Sequence, residues 1–337
     1  MNDKTDRRGF LNKAMLGTAG AGVAWSLEER ILLAALADGS SQDAPPKPSI
    51  PAGSLPCGKI GNVSVSRLFM GSNLIGGWSH SRDLLYMSQL FKAYNTERKI
   101  FDSLEIAEQC GINTIIDPGQ ELIEKYRRER NGKMQTLVCF GVEHDKIKLR
   151  DRIKWLVDHG NAMIYTHGEA TDRAIMDGKL DTIGLTLDLI RQQGVPAGVG
   201  AHSLETPIIC EKNKLNADFY VKTFHMDRYW SATPVERREE YCWYKAQADD
   251  HDGYHDNMWC LDAEKTASFM ETVAKPWIAF KVMAAGAIAP QMAFSHAYRK
   301  GADFIVAGMF DFQIEDDVKI AIDALQKIDT RKRPWCG

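Results

Sequence analysis

Asp117, His167 and Lys281 stand where short apolar runs end, and a carboxylate, an imidazole and an amine so placed are the usual tools of proton transfer. The stretch GINTIIDPGQ ends a strand-like segment on Asp117, and Pro118 and Gly119 then break the chain. A carboxylate at the tip of a buried strand is costly without a partner or a task. His167 closes AMIYTH, His202 closes PAGVGAH and His225 closes DFYVKTFH. Four of the nine histidines (these three and His144) sit at or just past such an end, more than an even spread would place there.

Side chains on neighbouring strand tips lie about 5 Å apart. Three imidazoles from His167, His202 and His225, with a carboxylate from Glu143 or Asp117, are therefore expected to be able to hold a divalent metal with an open coordination position. The same histidines could instead contact substrate directly, by hydrogen bonds or stacking, or serve structure alone. Lys281, in AFKVMAA, reads as an inward lysine whose pKa burial lowers, a base or carbonyl-binding amine. In that register Phe280 and Val282 face outward; an ion pair with Asp117 is the alternative. The longest excursion, residues 226–262, carries three Trp and four Tyr among many charges, too aromatic for a disordered segment. Such a surface suits carbohydrate rings. Its HDNMW portion supplies His255, Asn257 and Trp259 as expected substrate contacts, joined at the strand ends by Asn73, Trp78, His202 and Asp311.

Eight apolar runs bounded by Gly, Pro or Asn must position these residues: 67–73, 113–117, 135–142, 162–167, 196–202, 218–225, 277–284 and 304–310. Amphipathic stretches alternate with them. In TERKIFDSLEIAEQC, Ile100, Phe101, Leu104 and Ala107 share one face, Thr96 is the expected N-cap, and Gly111 the stop. Eight strand–helix units predict a (β/α)8 TIM barrel as a single domain with a long loop after strand 6. The alternative, a doubly wound open sheet, lacks a GxGxxG after its first strand.

The chain begins with DRRGFLNKAMLGTAGAGVAWSL, a paired-arginine motif followed by a weakly apolar run. Residues 1–37 are thus expected to be a twin-arginine export signal read by its translocation machinery, which implies a periplasmic or secreted protein. Residues 38–56 form a Pro/Ser/Gly-rich linker, and 57–337 the catalytic domain. A net charge of −3 with no basic block after the signal argues against nucleic acid and points to a small-molecule substrate. Seven cysteines without a CxxC pair indicate neither a zinc ribbon nor a disulfide scaffold. Cys57 and Cys336, just outside the two ends of the folded region, are expected as free thiols, with a staple after export as the alternative.

Five segments resemble the aldo-keto reductase family in order and spacing: GKIGNVSVSRLFMGSNLIGG, AEQCGINTIID, NAMIYTHGEATD, QQGVPAGVGAHS and GADFIVAGMFDFQIEDDVKIAIDAL. The resemblance covers roughly residues 57–328 and implies a barrel opened by a small hairpin. It places Asp117 and His167 on two members of the family's Asp-Tyr-Lys-His tetrad. The tyrosine position holds Leu122, and VCFGVEH offers no lysine at the end of the third strand. The family's nicotinamide cofactor sets its phosphate on basic residues after the last strand, where this chain has DFQIEDD; carboxylates at a helix N-terminus repel phosphate. The cofactor therefore stays open between a nicotinamide nucleotide and a divalent metal. The resemblance implies an exported reductase-like enzyme acting on a small carbonyl or carbohydrate-like substrate by an atypical mechanism. A non-redox lyase, isomerase or hydrolase on the same barrel, and a small-ligand binding protein, are the alternatives.

Overall fold

A computed structural model describes residues 48–51, 53–81, 84, 86–142, 145–241 and 258–337. All belong to one compact unit, Pro45–Gly337. A two-residue turn joins β1 (Cys57–Ile60) to antiparallel β2 (Val63–Ser66). Eight parallel strands follow: β3 (Leu68–Gly71), β4 (Thr114–Ile116), β5 (Gln135–Phe140), β6 (Met163–Thr166), β7 (Ala197–Ala201), β8 (Phe219–Thr223), β9 (Trp277–Phe280) and β10 (Phe304–Gly308). They pair in chain order, and β10 returns to pair with β3 in the register Ile305 to Leu68. The sheet is closed, as the eightfold alternation predicts; the open-sheet alternative is excluded.

The helices used below are α1 (Tyr86–Tyr94), α2 (Glu97–Gln109), α3 (Gln120–Arg130), α4 (Lys146–Asp158), α5 (Gly168–Met176), α6 (Leu180–Arg191), α7 (Glu205–Lys212), α8 (Ala263–Met270), α9 (Pro290–Arg299) and α10 (Asp311–Gln326). On α2, Thr96 accepts the Lys99 N–H, and Ile100, Phe101, Leu104 and Ala107 are buried, as their spacing predicts. Among the described residues no helix is long and apolar enough to cross a membrane.

Strand period two separates two cores. Phe69, Ile116, Leu137, Met163, Phe219 and Ile278 fill the barrel, and Ile60 and Val65 of the hairpin pack against this inner cluster. Their neighbours Leu68, Ile115, Ile164, Tyr220 and Trp277 pack against the helices. Parity corrects one expectation. Ile278 and Phe280 belong to the inner set and Ala279 to the outer, so Phe280 does not face the helices. Strand β9 ends at Phe280, and Lys281 turns off the ladder at φ 58.

Candidate active site

Asp117 follows β4 with φ 47, a left-handed turn that Asp tolerates better than most residues. The turn sends its carboxylate across two neighbouring strands. Oδ1 accepts the Cys139 N–H at 2.6 Å and Oδ2 the Tyr165 hydroxyl at 2.6 Å. Burial pushes the Asp117 pKa up, and the Tyr165 and Cys139 hydrogen bonds oppose the rise. The ion pair with Lys281, the alternative reading of that lysine, is not formed; two neutral donors meet the carboxylate instead. Tyr165 itself is pushed up, first by burial and then by the charge of Asp117.

His167 caps the start of α5 through its backbone, with its side chain exposed. One turn and a half further along α5, Asp172 is fully buried. Its Oδ2 accepts the His202 N–H at 2.9 Å, the Ser203 N–H at 3.3 Å and faces His202 Nδ1 at 3.2 Å; Oδ1 accepts the Thr206 hydroxyl at 2.7 Å. That acceptor assigns the proton to Nδ1 and leaves the lone pair on Nε2. Gly168 at the first position of α5 lets the His202 ring approach closely: a Cβ there would stand 3.0 Å from His202 Cε1 and press on the ring.

Trp259 gathers the other groups. Its ring centroid lies 4.7 Å from that of His202 and 5.4 Å from that of His80, and Lys281 Nζ sits 4.1 Å from it, within cation–π range. Phe280 backs His202 at 5.6 Å. Burial lowers the pKa of His202 to about 4 against the pull of Asp172, and that of His80 to about 3, with Lys281 adding to both shifts. Both rings are therefore neutral at pH 7 beside a lysine.

His225 does not join this group, which corrects the expected three-histidine metal site. Its Nδ1 faces the Met226 carbonyl at 2.8 Å, and Nε2 accepts the N–H groups of Trp259 at 2.9 Å and Cys260 at 3.0 Å. Nδ1 is held by the carbonyl of the next residue and Nε2 seats the returning loop, so both nitrogens are engaged. Among the described residues no three His, Cys, Asp or Glu side chains are placed to hold a metal. Glu143, His255 and Asn257 lie outside the described residues. Asp311 is also drawn away from substrate: Tyr94 donates to it at 2.7 Å and Lys99 at 2.8 Å, tying α10 to α1 and α2. Asn73 and Trp78 lie on one turn after β3, the Trp78 N–H bonded to the Asn73 carbonyl at 2.8 Å with the indole 69% exposed.

The structure thus brings His202, Trp259 and Lys281 together, and it adds Asp172, Tyr165, Cys139 and His80. Tyr165 was discoverable by parity, two residues before His167 on one strand face. Asp172 carried only its place in HGEATD, and His80 carried no signal.

The closed eight-stranded sheet is a (β/α)8 barrel, a fold in which active sites sit beyond the strand C-termini. Two solved structures, both described as "putative aldo-keto reductase" from "Pseudomona aeruginosa", superpose on it. One aligns at TM-score 0.54 and 16% identity over 80% of this chain and 94% of that one. The other aligns at 0.55 and 15% over 80% and 96%. At such identity the likeness is one of fold: the barrel is aldo-keto-reductase-like. No family model and no curated protein matches the sequence.

The nicotinamide nucleotide implied by that fold does not fit the residues after β10. The first turn of α10 carries Asp311, Glu315 is held by Ser49 and Lys319, and no basic side chain stands in the 311–317 stretch. Leu122, at the family's tyrosine position, packs against the outer core.

Proposed function

We propose that this chain is an exported enzyme that moves protons on a small carbonyl or carbohydrate-like substrate, without the reductase tetrad. The observation that carries the reading is the set Asp172–His202–Trp259–Lys281. A buried carboxylate that holds Nδ1–H of a neutral imidazole makes Nε2 a base, as in other Asp–His pairs. A lysine ammonium beside it can stabilise the oxyanion that forms when a carbon next to a carbonyl loses its proton. The Trp259 ring, packed on both His202 and Lys281, holds the two groups side by side. Asp117, with Tyr165 and Cys139, forms the floor beneath, and His167 lies close enough to it to act on the same bound molecule. This favours an isomerase or lyase over a hydride-transferring reductase, because the 311–317 stretch, where the resemblance would set the nucleotide phosphate, holds carboxylates and no basic side chain. Paired Arg7 and Arg8 support passage through the twin-arginine machinery to the periplasm or beyond, after folding.

The test is deuterium incorporation. The chain without residues 1–37 is incubated in D2O with a panel of small ketoses, aldoses and hydroxycarbonyl compounds, and NADPH consumption is followed in parallel. Exchange at the carbon beside the carbonyl is expected, with a loss on the order of 100-fold in His202→Ala and in Asp172→Asn, since a misoriented base loses that much. NADPH consumed in proportion to product, or exchange unchanged in both variants, overturns the reading.

A further inference from the structure

Beside Trp259 and His202 a cavity of about 830 Å³ opens outside the barrel, between the chain that follows β8 and the start of α8. Its volume is that of a small-molecule site. Lys222 of β8 reaches it from the outward face of the strand and is 1% exposed. The ammonium donates to the Thr223 carbonyl at 2.8 Å and the Thr223 hydroxyl at 2.9 Å. A lysine has three N–H donors, so one is left, and no carboxylate among the described residues pairs with it. A buried cation met only by neutral acceptors is costly. Burial accordingly lowers its pKa.

His296 of α9 lines the same cavity, and its Nε2 is buried without a hydrogen-bond partner. The ring stacks on Phe224 at 5.0 Å and 15°, so it is fixed rather than free to turn away. Two carboxylates of the acidic wall are paired with cations and two accept only from neutral donors. Asp227 pairs with Arg238 at 3.0 Å, Glu264 with Lys300 at 2.6 Å, Glu240 accepts from Ser203 at 3.0 Å, and Asp262 accepts the Lys265 N–H at 2.8 Å. The exposed bases Arg228 and Lys265 line the cavity with no ion pair of their own among the described residues. Lys222, Arg228 and Lys265 thus stand against the two carboxylates, Glu240 and Asp262, that no cation meets among the described residues, a small positive excess whose buried end is Lys222.

We propose that this cavity is an oxyanion-anchoring subsite: a carboxylate or phosphate group of the substrate sits against Lys222 and His296 Nε2, with the rest of the molecule reaching Trp259 and His202. The inference deepens the reading above and rests on it for what happens at His202. It makes the substrate class a small sugar or hydroxycarbonyl compound that carries an acid group.

Binding without turnover tests the subsite separately from the chemistry. Calorimetry on the chain without residues 1–37 compares gluconate, glucose 6-phosphate and glucose. At least one anion is expected to bind about 30-fold more tightly than glucose, the scale of one or two charge-assisted hydrogen bonds. Gluconate and glucose 6-phosphate in separate titrations tell a carboxylate from a phosphate. Lys222→Met is expected to abolish the preference and His296→Phe to reduce it about fivefold, the worth of one neutral hydrogen bond. Should Lys222→Met not fold, the exposed pair Arg228→Ala/Lys265→Ala decides: anion affinity falls about threefold or more at low salt, with glucose unaffected. Equal affinities for anions and glucose, a preference surviving in Lys222→Met, or an unchanged rim variant each overturn the proposal. A preference lost with Lys222 supports the subsite even where no deuterium exchange is found, in which case the proton-transfer reading alone falls.

Discussion

The two ends of the barrel treat buried charge in opposite ways. At the base, Asp303 is fully buried and both its oxygens are met by cations: Arg333 at 2.6 Å on one and Arg331 at 3.1 Å on the other. The N–H groups of Trp277 and Cys336 complete its shell at 2.9 Å each. Arg333, 1% exposed, spends its remaining donors on the carbonyls of Met270, Gly301, Val273 and Lys275. Arg67 ties the Asp303 and Gly337 carbonyls together beneath Trp335. At the other end Asp117 is met by a hydroxyl and an amide, Lys222 by one threonine, and His80 and His202 are held neutral beside Lys281. Complete pairing fastens the C-terminal segment to β9 and β10. At Asp117 and Lys222 the charge is met by neutral groups alone, which leaves groups whose protonation and partners a ligand can change.

The sharpest way to break this contrast is to remove the acid at the base. Asp303→Ala strands two buried guanidinium groups and is expected to cost about 3–5 kcal/mol. A fall in the urea midpoint at unchanged slope reports it, and ligand affinity at the mouth stays as it was once the folded fraction is corrected for. A loss under about 1 kcal/mol would mean that water reaches the network and that the base is no better sealed than the mouth.

A second test uses pH. His202 and His225 have folded pKa values near 4 against an ordinary 6.5, in both cases from burial first. Between those values the unfolded chain binds a proton that the folded chain refuses, so stability falls as pH drops from 6.5 to 4 and levels below. Each group contributes up to about 3 kcal/mol of that fall. Asp117, whose folded pKa is raised above 3.8, works the other way: its cost grows as pH climbs past 3.8 and acid relieves it. His225→Gln keeps an acceptor for the Trp259 and Cys260 N–H groups and removes one titration. The variant should lose less stability between pH 6.5 and 4 than the parent. Identical slopes would show that His225 is open to water, and the loop it seats with it.

The frame was more legible in the sequence than either end: the mouth was read in part, and nothing singled out Asp303, Arg331 or Arg333 at the base. Buried strands advertise themselves because Leu, Ile, Val and Phe must fill two cores at period two, so all eight were visible. Asp117 was visible because a carboxylate on a strand tip conflicts with burial. The register of Lys281 was not: a single left-handed residue after Phe280 cancels the alternation, and nothing in AFKVMAA marks it. His225 looked equivalent to His202, since both follow a strand in like manner. What separates them is a long-range event, the return of Trp259 and Cys260 over β8. Asp172 is a helix residue whose partner arrives from another strand.

The smallest predicted effect bears most directly on Asp117. Tyr165→Phe removes one of its two donors and is expected to cost about 1–2 kcal/mol, the worth of a hydrogen bond to a buried charged group less the loss of a hydroxyl from the core. Because burial already raises the Asp117 pKa, losing the donor raises it again, and the loss of stability should grow with pH as the carboxylate ionises. The double variant Tyr165→Phe/Asp117→Asn replaces the carboxylate by a neutral amide whose oxygen can still accept the Cys139 N–H. It should recover part of the loss at pH 8 and none at pH 4. A pH-independent loss would mean that Asp117 is protonated throughout, its proton shared with Tyr165. The mouth would then resemble the base after all in leaving no buried charge uncompensated, and Asp117 would serve as a strut between β4, β5 and β6 rather than as a group held ready for substrate.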